Sequence, residues 1–177
     1  MILKALIAAL ALASPALAQE ASMNLSPNWE YVADTVMGGV SRGGIETAMI
    51  DGQRATRLTG DVSLENNGGF VQMAADLGTG DVLDASDWTG IEVEVRGNGQ
   101  TYDLRLRTTD LTRPWQSYRT DFTATDDWTV IRVPFTALEA NRTDVPLNLT
   151  RLRRIGILAV GRKMNADVAV AGLRLYR

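Results

Sequence analysis

The 177-residue chain contains neither cysteine nor histidine. That excludes a Ser-His-Asp triad, a cysteine nucleophile, a histidine general base and any ordinary zinc, copper or haem site. What remains for catalysis is carboxylate chemistry, a lysine or tyrosine, or a hard-cation site of oxygen ligands. Lysine is nearly absent as well: of 18 basic residues only Lys4 and Lys163 are not arginine. Genomic base composition accounts blandly for such a bias. The sharper reading is that planar guanidinium forks are wanted for carboxylates or phosphates. There is no basic excess either; the net charge is −3, and nucleic acid as a partner is set aside. Nor is there an apolar run of the roughly 20 residues that a bilayer-spanning helix needs, so no membrane span is expected.

What is present begins with a leader pattern. Lys4 precedes the apolar run Ala5 to Ala13, and Ala16-Leu17-Ala18 forms an A-x-A cleavage site behind Pro15. Residues 1–18 therefore read as a secretory signal peptide, with Gln19 as the first mature residue and a periplasmic or secreted destination. No cysteine stands at the cleavage point to take a lipid anchor. Residues 19–177 are expected to form one domain. A domain of this size buries about 68–70% of its unfolded surface, so disulfides are not required.

Strand signals dominate that domain. Ile91, Val93 and Val95 alternate with Glu92 and Glu94; Tyr102, Leu104 and Leu106 alternate with Asp103, Arg105 and Arg107; Gln116, Tyr118, Thr120 and Phe122 alternate with Ser117, Arg119 and Asp121. Period-two patterns of this kind mark half-buried strands. Further strands are expected at 29–32, 44–50, 54–64, 70–74, 129–133, 154–160 and 167–176, separated by turns such as Asp51-Gly52. Asn98-Gly99 reads as a hairpin turn between two neighbouring strands. Short helical turns are expected only at 84–88 and 135–138. About ten strands without βαβ alternation predict an antiparallel β-sandwich or jelly roll.

Two segments stand out, DTVMGGVS (Asp34 to Ser41) and ENNGGF (Glu65 to Phe70). Each sets two adjacent glycines beside an acidic or amide residue. Gly38-Gly39 and Gly68-Gly69 are candidate structural turns, where backbone needs positive φ or close approach. Asp34 either bonds turn amides in the manner of short acidic side chains or helps form an anion-binding nest. GGVSRGG lacks G-x-G-x-x-G spacing and leads into a strand, so it is no dinucleotide fingerprint, and no cofactor is expected. Glu65 and Asn67 either shape a tight turn or stand at the mouth of a cleft beside Asp34.

Trp29 followed by DTVMGGVS, then ENNGGF, GIEVEVRGNGQTYDLRLR, YRTDF, WTVIRVPF and RIGILAVG, in this order and spacing, resembles the complex I intermediate-associated protein family. The resemblance runs over essentially all of residues 19–177. It implies a galactose-binding-like β-sandwich, similar to some carbohydrate-binding modules, and a non-catalytic role, since mitochondrial members are chaperone-like assembly factors for the respiratory NADH dehydrogenase. The chain departs from the family in its secretory leader and in TALEANRTDVPL, where only Arg142 stands for the family's arginine-glycine-arginine loop.

In jelly-roll modules of this type one concave face binds ligand. Arg105 and Arg107, with Tyr118, Gln116 and Trp115, are the candidates to line it; aromatic stacking plus arginine and amide hydrogen bonds suits sugars. Cross-strand ion pairs with Glu92 and Glu94, expected on the same side, are the plainer reading. Three functions follow. The first is a non-catalytic exported module that binds a protein or assists assembly of an envelope complex. The second is a carbohydrate or small-ligand module. The third is a carboxylate-dependent hydrolase using Asp34 with Glu65, or Glu92 with Glu94. Asp81, Asp84 and Asp87 fit no calcium-loop pattern, and a helix start at Asp84 or Asp87 is the better reading. The sequons at Asn141 and Asn148 matter only in a eukaryotic host.

Overall fold

A computed structural model describes residues 20–78 and 82–177; the leader, Gln19 and Asp81 lie outside the described residues. The strands are β1 (Ser22–Asn24), β2 (Glu30–Ala33), β3 (Arg42–Ile50), β4 (Gln53–Val62), β5 (Phe70–Asp76), β6 (Gly90–Gly97), β7 (Thr101–Thr108), β8 (Ser117–Thr123), β9 (Thr129–Pro134), β10 (Glu139–Asn141), β11 (Leu152–Val160) and β12 (Met164–Tyr176). They form two antiparallel sheets, one ordered β3-β4-β12-β6-β9 with β1 also on β12, the other β10-β8-β7-β11-β5-β2. This is the jelly-roll β-sandwich that the alternating patterns predict.

The alternation sets what each sheet buries. Along β7, Tyr102, Leu104 and Leu106 are buried while Asp103, Arg105 and Arg107 are half-buried on the other side. Ile91, Val93 and Val95 of β6 face them across the core with Leu58 and Val168, while Met73, Ile155 and Ile157 pack beside them on their own sheet. Each such aliphatic side chain, fully withdrawn from water, contributes roughly 1.5–3 kcal/mol.

The connections differ more from expectation than the strands do. Asp51-Gly52 is a true hairpin turn, with Asp51 at φ 46° and Gly52 at φ 80° between Ile50 and its partner Gln53. Asn98-Gly99 is not. β6 pairs with β12 and β9, whereas β7 pairs with β11 and β8, so this turn is an arch from one sheet to the other. The Tyr102 hydroxyl holds the arch: it donates to Asn98 Oδ1 at 2.7 Å and accepts from the Asp167 amide at 2.9 Å. Burial pushes the Tyr102 phenol up to about 12, so it stays neutral as this bonding requires. Glu92 and Glu94 consequently lie on the opposite outer face from Arg105 and Arg107, not beside them. Two more arches, β2 to β3 and β4 to β5, carry the paired glycines.

Candidate functional site: two clipped turns and an arginine face

Asp34 opens a single 3-10 turn, Asp34–Met37, at the end of β2 and is completely buried. Its Oδ1 accepts from the Ser41 amide at 3.0 Å. Its Oδ2 accepts from the Ser41 hydroxyl at 2.5 Å, the Gly69 amide at 2.6 Å and the Phe70 amide at 3.2 Å. Ser41 passes the connection on, its Oγ accepting from the Ser63 amide at 2.9 Å. One carboxylate therefore clips both arches together. Burial alone would push this carboxyl up; the four hydrogen bonds outweigh it and hold it below the usual carboxylate range.

The glycine pairs are shaped around that carboxylate. Gly38 at φ 90° and Gly69 at φ 134° take backbone conformations that other residues reach only with strain. Gly39 and Gly68 have ordinary φ but no room: a Cβ at Gly39 would lie 2.4 Å from Asp34 Cγ, and one at Gly68 2.5 Å from Asp34 Oδ2. In each pair one glycine serves the turn and the other makes space for Asp34. Asp34 is thus no ligand contact, and neither it nor the turns form an open nest. Glu65 and Asn67 do lie in the second arch, in the 3-10 turn Glu65–Asn67, and both are exposed. They are not gathered with Asp34 into a cleft. Around them the arches turn apolar side chains to solvent: Val36 is 72% exposed, Met37 65%, Leu64 46% and Val40 38%.

The second sheet's outer face carries the other candidates. Register sets Arg105 directly opposite Arg119 and Arg107 opposite Arg154. Asp103 bridges the first pair, 2.8 Å from Arg105 and 3.2 Å from Arg119. Arg154 reaches Asp76 at 2.9 Å and also Glu30. Arg107 contacts backbone carbonyls instead, donating to Gln116 O at 3.1 Å and Arg113 O at 2.9 Å. Burial and then the charges of Arg153 and Arg154 lower its pKa. Trp115 stands at the rim of this face, 53% exposed, with the Arg113 guanidinium 6.0 Å from its ring centre.

Tyr118 does not belong to this face. It pairs with Leu106, so its ring points into the interior and is 2% exposed. Its hydroxyl donates to the carbonyls of Val145 and Pro146, both at 3.0 Å, and anchors that loop. The residue of β8 that stands beside Arg105 is Arg119, one position on, which the sequence reading left out.

On the first sheet's outer face Glu92 is held between Arg132, at 3.0 Å, and Arg174. Glu94 accepts from Gln53 Nε2 at 3.1 Å. These carboxylates are engaged as cross-strand partners. Asp84 accepts from the amide and hydroxyl of Ser86 at 2.9 and 2.6 Å, a local turn. Among the described residues no group of three or more acidic side chains is placed to hold a metal ion. Two surface clefts lie elsewhere, one between residues 25–29, Trp29 included, and strands β3, β4 and β12, the other between Gln116 and residues 142–146, where Arg142 and the Val145 and Pro146 carbonyls held by Tyr118 stand. No helix of the described residues is long and apolar enough to cross a membrane.

The family model for complex I intermediate-associated protein 30 (CIA30) matches residues 18–169. The chain belongs to the CIA30 family. Among solved structures, this CIA30-family chain is similar to a family 11 carbohydrate-binding module from Clostridium thermocellum in complex with a beta-1,3-1,4-mixed-linked tetrasaccharide. The TM-score is 0.70 at 13% identity, covering 87% of this chain and 94% of that one. It is also similar to a family 30 carbohydrate-binding module of a cellulosomal cellulase of the same organism, with TM-score 0.64 at 14% identity, covering 88% and 96%. An exo-beta-agarase matches at TM-score 0.53 and 10% identity, over 84% of this chain and 23% of that one. At these identities the likeness is one of fold. No curated protein sequence matches the chain.

Proposed function

We propose that this chain is a non-catalytic binding module that engages a protein partner through the apolar side chains on its two clipped arches. The observation that carries the reading is the exposure of Val36, Met37, Val40 and Leu64 on turns that a buried carboxylate and the two paired-glycine motifs hold together. A turn fixed this firmly gains nothing in folding from large apolar groups facing water, and grouped apolar exposure marks interaction sites. A preformed loop also binds at low ordering cost. Family membership supports an assembly-assisting role.

Export is part of this reading, supported by the Ala5 to Ala13 run and the Ala16-Leu17-Ala18 pattern. Protein recovered from the periplasm or medium should begin at Gln19; recovery from the cytoplasm alone, with Met1 retained, would remove it. The docking surface is tested by placing a photo-crosslinking residue at position 37 and, as control, at exposed position 136. One discrete crosslinked species at 37 and none at 136 is expected. Equal labelling at both, or none at 37, contradicts the reading.

The second reading, a saccharide-binding module, is supported by the outer face of the second sheet, with its arginines and the exposed Trp115, and by the carbohydrate-binding modules that share the fold.

A further inference from the structure

The outer face of the second sheet has an unusual charge arrangement. Like charges placed directly opposite each other on antiparallel strands are destabilising. This face does so twice in adjacent rows, Arg105 with Arg119 and Arg107 with Arg154. The first pair is relieved by Asp103 between its members, and Arg154 by Asp76 and Glu30. Arg107 is relieved by no carboxylate among the described residues. Its Nε and Nη2 are held by two carbonyls of the turn that presents Trp115, while Nη1 makes no hydrogen bond among the described residues. Arg153, exposed on the bulge between Leu152 and Arg154, makes no ion pair among the described residues.

The floor beside these arginines is flat and closed. Gly156 and the fully buried Ala74 lie side by side in the middle row, next to Arg105. Gln72 and Leu158 close over Gly156, Gln72 Nε2 and Leu158 Cδ1 each 3.2 Å from where a Cβ would sit, and the Gln72 amide makes no hydrogen bond among the described residues. A flat floor closed by Leu158, a free amide, a fixed guanidinium with an unused edge and an indole at the rim complement a flat hydroxylated ring that also carries an anion. An acidic peptide would instead want apolar recesses for its other side chains, and this floor offers none.

We propose that this face binds an acidic polysaccharide, with Arg107 taking a uronate carboxylate, Gln72 taking ring hydroxyls and Trp115 stacking on a neighbouring sugar. This rests on the saccharide reading above and narrows it from neutral to carboxylated chains. The overall negative charge does not oppose it, because the local field of Arg107 and Arg153, which no carboxylate pairs among the described residues, governs an approaching carboxylate.

The test is affinity electrophoresis of the purified protein in gels containing polygalacturonate, mixed-linkage β-glucan or no polysaccharide, with free poly-glutamate as competitor. Retardation by polygalacturonate at low salt is expected, weakened by added salt and unaffected by poly-glutamate. Arg107→Leu should reduce affinity at least tenfold with its melting temperature nearly unchanged. Gln72→Ala, which touches no structural bond, should reduce it about threefold and serves if Arg107→Leu is poorly folded. Retardation by β-glucan with no preference for polygalacturonate overturns this inference and leaves the saccharide reading standing. Retardation by neither overturns both. Competition by poly-glutamate, or full binding in both variants, also overturns it.

Discussion

Asp34 and Arg107 are both withdrawn charges on motifs that invite a functional reading, and the structure treats them in opposite ways. Asp34 is fully buried and accepts four hydrogen bonds, and two glycines are kept bare so that it fits. Arg107 is half-buried, is bonded to carbonyls only and faces other arginines. A buried charge with both oxygens engaged is a building element, since the fold leaves none of its surface open to a ligand. A charge left with like-charged neighbours and an unused edge is available for something outside the chain. Full engagement inside the fold, more than residue type, separates the two.

The comparison can be broken at several points. The largest effect is expected from Asp34→Ala, which strands the Gly69, Phe70 and Ser41 donors and should cost roughly 3–5 kcal/mol in denaturant unfolding, as for a broken buried network. Arg107→Leu should cost about 1 kcal/mol or less, in the range of a partly exposed surface change. Equal losses at the two sites would erase the distinction. Next in size, Gly39→Ala and Gly68→Ala push a methyl group into Asp34 and should each cost about 1–3 kcal/mol by overpacking. Gly38→Ala meets open space and should cost about 1 kcal/mol for its positive φ alone.

A smaller effect separates the sites by pH. The Asp34 carboxyl is held below its unfolded value, so its contribution is fully present above that value and is lost as pH falls through the folded pKa. The melting temperature of the parent should fall more steeply below about pH 4 than that of Asp34→Asn, which has no carboxyl to titrate. Parallel curves would mean that Asp34 carries no such linkage. Smallest of all, Glu92→Gln weakens two partly exposed pairs with Arg132 and Arg174 and should cost about 1 kcal/mol or less.

Most of the strands were legible because β6, β7 and β8 alternate cleanly. Ser22–Asn24 and Glu139–Asn141 were not, since three residues are too few to show a period. The arches were illegible for a different reason. Alternation tells which side of a strand is apolar but is the same whether the next strand pairs with it or faces it, so Asn98-Gly99 passed for a hairpin and Glu92 was set on the wrong face. Tyr118 shows the matching limit within one sheet. Its own strand alternates correctly, yet only the register of Leu106 against Tyr118 decides that it points inward and Arg119 outward. For Asp34, a place before Gly38-Gly39 suggested bonding to amides two residues on, whereas the nearest amide that its carboxylate takes is that of Ser41, seven residues on. Its reach to Gly69 and Phe70 was not readable, because nothing local links positions 35 residues apart. The part of Ser41 was hidden in the same way, although it closes the DTVMGGVS motif.

The claim beneath all of this is that the bare glycines exist for Asp34. A double-mutant cycle tests it most directly: the stability cost of Gly39→Ala is measured in the parent and again in Asp34→Ala. The methyl group that meets Asp34 in the parent meets space once the carboxylate is gone, so the cost should drop from about 1–3 kcal/mol to near zero, a coupling characteristic of residues in contact. The same cost in both backgrounds would contradict the clip.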